Sequence, residues 1–474
     1  MTGAGRSEGS STEAIEAEVA GRLRPTPEFL SRLARTRTEL LERAHRAAAD
    51  RSAPLVRAVI AGSAARGGFL SDRVDIDLFL LFDPKLSRDA LRQHGLDLAR
   101  TILPEHEIRY AEHPYLRGTF EGFRVDAVPG YAVADGAHPQ SAVDRTPFHQ
   151  AYLEARETPE LLDQIRLTKQ FLRVLGVYGS EARTGGFSGY LVELLVLRFG
   201  SFRCLLEAAR SWRPPVRLPT TPGAAPRVPD DTALILDDPV DPARNVSSAL
   251  TRQNLALFVL AAAAYLEHPH REAFTIAPTA TWDRAHGLAA VAERGTHVAV
   301  LTVPRMDLVD DVLYPQLRRA ERGVRDAADR WGFQPIGTGV GADAADLVLA
   351  VEVAHGRLPA VRVRDGPPVG LDRVGSFLEK WQTAQPPPLQ GPYVRTDGTL
   401  AVETLREHRG LETLLAAELP QLALGQDLRR HLGEARVRSL AEAPEGPALH
   451  DALRELFGKS LPVYLRPDAG RSTG

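Results

Sequence analysis

Apolar positions fall first into a helical spacing: Leu30, Leu33, Leu40 and Leu41 share one face up to about Ala49. Thr26-Pro27-Glu28 supplies the start of that helix, with a capping hydroxyl, a proline at the first helical position and an acid in the first turn. A shorter helix is predicted over Glu13–Leu23, and the small polar residues 1–12 are expected to be disordered. Val56–Ala61 and Val74–Phe82 are apolar runs of strand length, separated by Gly62-Ser63-Ala64-Ala65-Arg66-Gly67-Gly68. Further strands are predicted at Glu107–Ala111 and Phe123–Val128, with a helix at about Ser87–Ile102 before them. Residues 1–150 therefore read as one α/β unit of mixed order.

From 151 to about 275 the pattern turns helical, over Leu161–Val177, Ser188–Arg210 and Val246–Leu266. A proline-rich loop at Arg213–Pro229 and a strand at Thr232–Leu236 interrupt it. The remainder, 276–474, alternates strands (Val298–Val303, Leu347–Val353) with helices (Pro315–Trp331, Val374–Trp381 and others after Val402). Gln385–Pro392 is a second proline-rich interruption.

Length and composition narrow the classes. A chain of 474 residues predicts two to four domains, each able to bury a core. The lone Cys204 excludes an intramolecular disulfide framework and fits a reducing compartment. No apolar run reaches the roughly 18–20 residues of a membrane span, and the first residues lack an apolar signal core, so a cytoplasmic protein is expected. The formal charge of −3 excludes a uniformly basic coat but not a local basic stripe. Only Lys85, Lys169, Lys380 and Lys459 are lysines among the 58 basic residues, which draws attention to any lysine set in apolar sequence.

Chemistry concentrates in the first unit. Gly62-Ser63 is followed by Asp75-Ile76-Asp77. Strand side chains alternate, so Asp75 and Asp77 share one face and Ile76, Leu78, Leu80 and Phe82 the other. Two like charges at that spacing repel unless a cation joins them, and Mg²⁺ takes one or two carboxylates together with substrate phosphates. An isolated Asp-x-Asp is usually a solvated strand face. The upstream Gly62-Ser63 turn changes that balance, because glycine allows close backbone approach and the serine hydroxyl can donate to a phosphate. Arg66 can pair with a phosphate bidentately. Asp126, opposite Phe123, Val125 and Ala127 on its own strand, offers a third carboxylate. Lys169 shares a helical face with Leu162 and Ile165, where an ammonium needs an anionic partner. Glu112 and His113 either line the carboxylate cluster or form a strand-end pair.

Gly-Ser, Asp-x-Asp and a distal Asp together resemble the nucleotidyltransferase superfamily that includes polymerase beta and the poly(A) polymerases. The strings Ala111-Glu112-His113-Pro114-Tyr115, Val143-Asp144-Arg145-Thr146-Pro147-Phe148-His149, Gly186-Phe187-Ser188-Gly189-Tyr190-Leu191 and Asp238-Pro239-Val240-Asp241-Pro242-Ala243-Arg244-Asn245-Val246 are similar to those of the class I, archaeal-type CCA-adding enzymes.

The resemblance implies an α+β fold: a polymerase-beta-like catalytic domain over 1–150, a helical nucleotide-binding domain over 151–275 and a tRNA-binding body and tail over 276–474. It implies transfer of CMP and AMP from CTP and ATP to the tRNA 3′ end, with Mg²⁺ on Asp75, Asp77 and Asp126. Gly62, Ser63 and Arg66 would meet the nucleotide phosphates, His149 the nucleotide, Lys169 and Tyr178 the triphosphate, and Arg244 the incoming base. Arginines of the C-terminal half would meet tRNA phosphates, and a homodimer is compatible with the family. Gly68 stands where the family usually carries threonine, which would loosen the loop, and Gly370 where an aromatic is more usual. The second departure keeps an alternative open: a paralogue acting on another RNA end or on a small-molecule acceptor. A catalytically dead RNA-binding protein is a third reading, disfavoured because all three carboxylates are present.

Overall fold

The computed structural model describes residues 5–72, 74–110, 114–223, 226–278, 280–459 and 461. They form two compact units, the first running to Ala277 and including Leu461, the second beginning at Pro278. Glu112 and His113 lie outside the described residues.

The first unit opens with α1 (Gly5–Leu23) and α2 (Pro27–Asp50), the latter capped by the Thr26 side chain, which accepts from the Phe29 N–H at 3.2 Å. It continues through β1 (Leu55–Ala61), the one-turn α3 (Ser63–Arg66), β2 (Asp75–Phe82), α4 (Arg88–Ile102), β3 (His106–Tyr110), β4 (Pro114–Phe120) and β5 (Phe123–Tyr131). The sheet order is β1-β2-β5-β4-β3; β2 and β5 are parallel and the other neighbours antiparallel. One face buries Ile76, Leu78, Leu80 and Phe82 with Val125, Ala127 and Leu116 beneath α2 and α4. On the opposite face Phe79 and Leu81 pack with Ala61 in a smaller core, and the same face of β2 ends in Asp77 and Asp75. One strand face is thus apolar in its second half and acidic in its first.

The chain then becomes helical: α5 (Thr146–Glu154), α6 (Pro159–Val174), α7 (Gly189–Phe199), α8 (Phe202–Ala209) and α9 (Arg252–Glu267), with a two-residue parallel pair of β6 (Val216–Arg217) and β7 (Leu234–Ile235). Their core is aromatic: Phe171, Phe202, Phe258, Tyr265 and Phe274 meet largely edge to face.

The second unit comprises α10 (Arg284–Arg294), β8 (His297–Pro304), α11 (Asp310–Trp331), β9 (Pro335–Ala342), β10 (Asp346–Val353), β11 (Val361–Pro368), α12 (Arg373–Gln382), β12 (Gln390–Val394), β13 (Thr399–Leu405), α13 (Leu411–Glu418), α14 (Gln426–Arg430), β14 (Arg436–Ser439) and α15 (Pro447–Phe457). Its sheets run β14-β8-β10-β9 and β11-β13-β12. The β9 glycines are required by packing: a Cβ on Gly339 or Gly341 would stand 2.1 or 2.0 Å from the Ala452 or Ala448 carbonyl oxygen of α15.

Several expectations are corrected. The first helix starts at Gly5 rather than near Glu13, so the expected disorder does not extend over residues 5–12. Ser188–Arg210 is two helices, because Gly200 closes α7 at φ 84° and the Ser201 side chain caps α8 by accepting from the Cys204 N–H. The helix expected from Val246 starts at Arg252 behind its Thr251 cap. Strands β4, β9, β11 and β12 were not anticipated, since glycine and proline break their apolar runs, and neither were β6, β13 and β14. The helix expected at Pro315 begins at Asp310 and carries that proline inside.

Candidate active site

Strand register assembles the acids. Asp77 pairs with Asp126 across the parallel β2–β5 ladder and with Ala61 across β1–β2, while Asp75 pairs with Arg124. Arg117 Nε and Nη2 each donate to an Asp126 carboxylate oxygen at 2.7 Å. Arg124 Nε donates to Asp75 Oδ1 at 2.6 Å. Asp77 has no such partner among the described residues. Its pKa is pushed up to about 7, first by burial and then by repulsion from Asp126 and Asp75.

Among the described residues, no three acidic, histidine or cysteine side chains stand as a ready metal cage, since two of these aspartates turn toward arginines. The donor set nevertheless fits a hard divalent cation. Three carboxylates lie on adjacent strands, and burial, then repulsion from its two neighbours, raises the pKa of the middle one. Gly62 brings the turn against this cluster: its φ is 75°, and a Cβ there would stand 2.5 Å from Asp77 Oδ2. Ser63 follows at the first position of α3.

Arg66 and Lys169 both have anionic partners inside the protein. The Arg66 side chain is buried; Nη2 donates to Glu193 Oε2 at 2.6 Å, Nη1 to Glu157, and Nε to Gln150 Oε1 at 3.2 Å. Lys169 is fully buried, and its Nζ donates to Glu193 Oε1 at 2.8 Å and to the Gly68 carbonyl at 2.7 Å. Burial opposes charge on both Lys169 and Glu193, yet their mutual attraction wins: the lysine pKa lies above its ordinary value and the glutamate pKa below. Half-buried Tyr178 places its hydroxyl 3.3 Å from where a Gly189 Cβ would stand, with Lys169 Nζ 3.8 Å from the same point. Gly68 leaves ordinary van der Waals room for a side chain, and its carbonyl is what holds the loop.

His149 and Arg244 converge on a residue that the sequence reading quoted but did not assign. Buried Asp238 accepts from Arg244 Nη1 at 2.8 Å and from the Tyr190 hydroxyl at 3.1 Å, and His149 Nε2 lies 2.8 Å from Oδ2. Burial pushes the Asp238 pKa up, but His149, the Val240 N–H and Arg244 bring it down to about 2. The His149 ring stacks on Tyr190 with centroids 4.1 Å apart. Arg145 pairs with Asp241, so the Asp238–Val246 loop is pinned to the start of α5 at two points. Asp144 caps the preceding turn and accepts from the Tyr131 N–H at 2.8 Å. Glu193 is the other residue of these networks that the sequence reading did not single out; its signal was an acid inside the largely apolar run Gly189–Phe199.

The chain matches three families in succession: a nucleotidyltransferase domain over residues 41–149, the second domain of tRNA nucleotidyltransferase over 163–275, and the C-terminal domain of CCA-adding enzyme over 294–439. It is 38% identical to the CCA-adding enzyme of Halobacterium salinarum over 96% of this chain and 99% of that one. The corresponding enzyme of Halorubrum lacusprofundi is 39% identical over 94% and 98%. That of Haloarcula marismortui is 35% identical over 96% and 98%. With its Asp75, Asp77 and Asp126 cluster inside the matched nucleotidyltransferase domain and its likeness running nearly end to end, the chain belongs to the archaeal-type CCA-adding enzyme family.

Proposed function

We propose that this protein adds CMP and AMP, taken from CTP and ATP, to the 3′ end of tRNA and releases pyrophosphate. The observation that carries the reading is the Asp77–Asp126 register, with Asp75 on the same strand face, inside a chain similar over almost its whole length to CCA-adding enzymes. Nucleotidyltransferase domains of this type use divalent metal ions. In this reading the metal is Mg²⁺, held by Asp75, Asp77 and Asp126. When bound, the ions lower the pKa of the attacking 3′-hydroxyl and offset charge on the phosphoryl group in transfer.

The chain's own residues do the positioning. Asp126 stands where a hydroxyl proton can be taken up. Ser63 and the backbone of the Gly62 turn face the phosphates. His149, stacked on Tyr190, and Arg244, half exposed, meet the nucleotide, and Asp238 sets their angle. Tyr178 lies at the triphosphate end beside Gly189. Arg66 meets the phosphates beside Ser63 and Lys169 the triphosphate beside Tyr178, and both are anchored within the protein by Glu193. Residues 1–150 and 151–275 make this centre, and 276–474 grips tRNA through arginines on its backbone phosphates. The protein works in the cytoplasm. No described helix is long and apolar enough to cross a membrane.

The test is incubation with tRNA lacking its CCA end, labelled CTP or ATP, and Mg²⁺. Extension by C, C and A is expected, and a folded protein that incorporates neither nucleotide would overturn the assignment.

A further inference from the structure

The Gly62-Ser63 turn flanks the acid cluster on one side, and two arginines flank it on the other. Across the sheet one row runs Ala61 on β1, Asp77 on β2, Asp126 on β5, Arg117 on β4 and Glu107 on β3. The neighbouring row holds Asp75, Arg124 and Thr119. Arg117 grips both Asp126 oxygens at 2.7 Å, and Arg124 grips Asp75 with Nε at 2.6 Å and with Nη2. Glu107, the other neighbour of Arg117, accepts from Arg109 at 2.8 and 2.6 Å. Both forks are thus aimed at the oxygens that a divalent cation would take. Once a cation engages those oxygens, each guanidinium keeps its charge and loses its partner, and the part-buried Arg117 then needs another anion. Sheet order indicates which one. The turn that faces the triphosphate leaves edge strand β1, whereas Arg117 and Arg124 stand on β4 and β5, beyond Asp77 from it. In-line transfer sets the attacking and leaving oxygens on opposite sides of the phosphorus. With pyrophosphate leaving toward the turn, the RNA end approaches over β5 and β4.

We infer that Arg117 and Arg124 are acceptor-binding residues held in reserve. Asp126 and Asp75 keep them paired in the absence of a cation, and a divalent cation on those carboxylates frees them for the phosphodiester backbone of the incoming RNA end. The inference rests on the nucleotidyl-transfer reading above. A planar fork that grips a carboxylate with two donors grips a phosphate in the same way, so the exchange needs no new side-chain chemistry. It also couples the two ligands: cation raises the affinity for RNA, and RNA raises the affinity for cation by the same factor.

The test uses the full chain with Arg117→Gln and Arg124→Gln, singly and together. Arg124 and Asp75 form an exposed pair, so Arg124→Gln keeps the test open if loss of Arg117 destabilises the sheet. Mg²⁺ is titrated into the nucleotide-free protein and followed by melting temperature. Each variant is expected to reach half its rise at about two- to fivefold lower Mg²⁺ than the unmodified chain, because an internal competitor is gone. In filter binding with Mg²⁺ present, tRNA lacking its terminal A should bind each variant about 10-fold more weakly. The slope of log affinity against log salt should fall by about one for each arginine removed. CTP affinity should stay within about threefold, since its phosphates lie on the far flank. Unchanged Mg²⁺ midpoints would overturn the inference, as would unchanged tRNA affinity and salt slope. A loss of CTP affinity without a loss of tRNA affinity would also overturn it, by giving the arginines to the nucleotide. The unmodified protein failing to extend tRNA would sink the parent reading instead, and the Mg²⁺ midpoints would still decide whether the arginines compete with the cation.

Discussion

The sheet cluster and the helix cluster are both charged, and they are built in opposite ways. Asp75, Asp77 and Asp126 are like charges brought together by strand register, partly compensated by Arg117 and Arg124, with the middle acid pushed up to about 7. Glu193, Glu157, Arg66 and Lys169 are opposite charges that satisfy one another away from solvent. The first arrangement stores repulsion that an incoming cation can relieve; in the second each charge has a partner of opposite sign within the protein. Net charge of a cluster, more than the number of its ionisable groups, separates a site that binds from a site that supports.

Substitutions should split the two clusters by sign. Asp77→Asn is expected to lower nucleotide incorporation on the order of 10³-fold. In chelator, however, it should leave the melting temperature unchanged or raised, because it removes a repelled carboxylate. Glu193→Gln should do the reverse to the fold, costing about 3–5 kcal/mol in denaturant unfolding because it strips the partner from buried cations. Equal destabilisation by both would erase the distinction.

The pH dependence follows from the same asymmetry. The Asp77 pKa is about 7 in the folded chain against 3.8 ordinarily, so the folded state holds the proton more tightly. Its contribution to stability is therefore present at low pH and lost as pH rises from about 4 through about 7. Melting curves of the chelated protein, compared with Asp77→Asn across that range, should show the gap moving against the unmodified protein.

Smaller effects sharpen the boundary between the clusters. Asp238→Asn should lower kcat/KM for both nucleotides by about 10- to 100-fold in steady-state assays, since the groups it orients lose their fixed angle. Gly62→Ala should cost about 1–3 kcal/mol in thermal unfolding, from its left-handed backbone and the clash with Asp77. Gly68→Ala, with ordinary contacts at 3.5–3.7 Å, should stay within about 0.5 kcal/mol by the same measurement.

The acids were legible in the sequence because alternation along a strand is a local rule, and Asp75, Asp77 and Asp126 each stand opposite apolar neighbours. The need of Lys169 for an anion was also legible, from its helical face. Its partner was not, because Glu193 lies on the next helix and only packing brings them together. That Glu157 and Glu193 accept from Arg66 was hidden for the same reason. Asp238 was quoted within a motif, but its role depends on His149, 89 residues earlier in the chain. Strand β9 escaped notice because Gly337, Gly339 and Gly341, placed for close approach of α15, remove the apolar signal a strand usually shows.

The most direct test of the contrast is a titration of Mg²⁺ into the nucleotide-free protein, followed by melting temperature, for the unmodified chain, Asp77→Asn and the Lys169→Met/Glu193→Gln double variant. The account predicts that Mg²⁺ raises the melting temperature of the unmodified chain and of the double variant, and leaves Asp77→Asn unmoved. An equal rise in Asp77→Asn, or a rise lost only in the double variant, would contradict it.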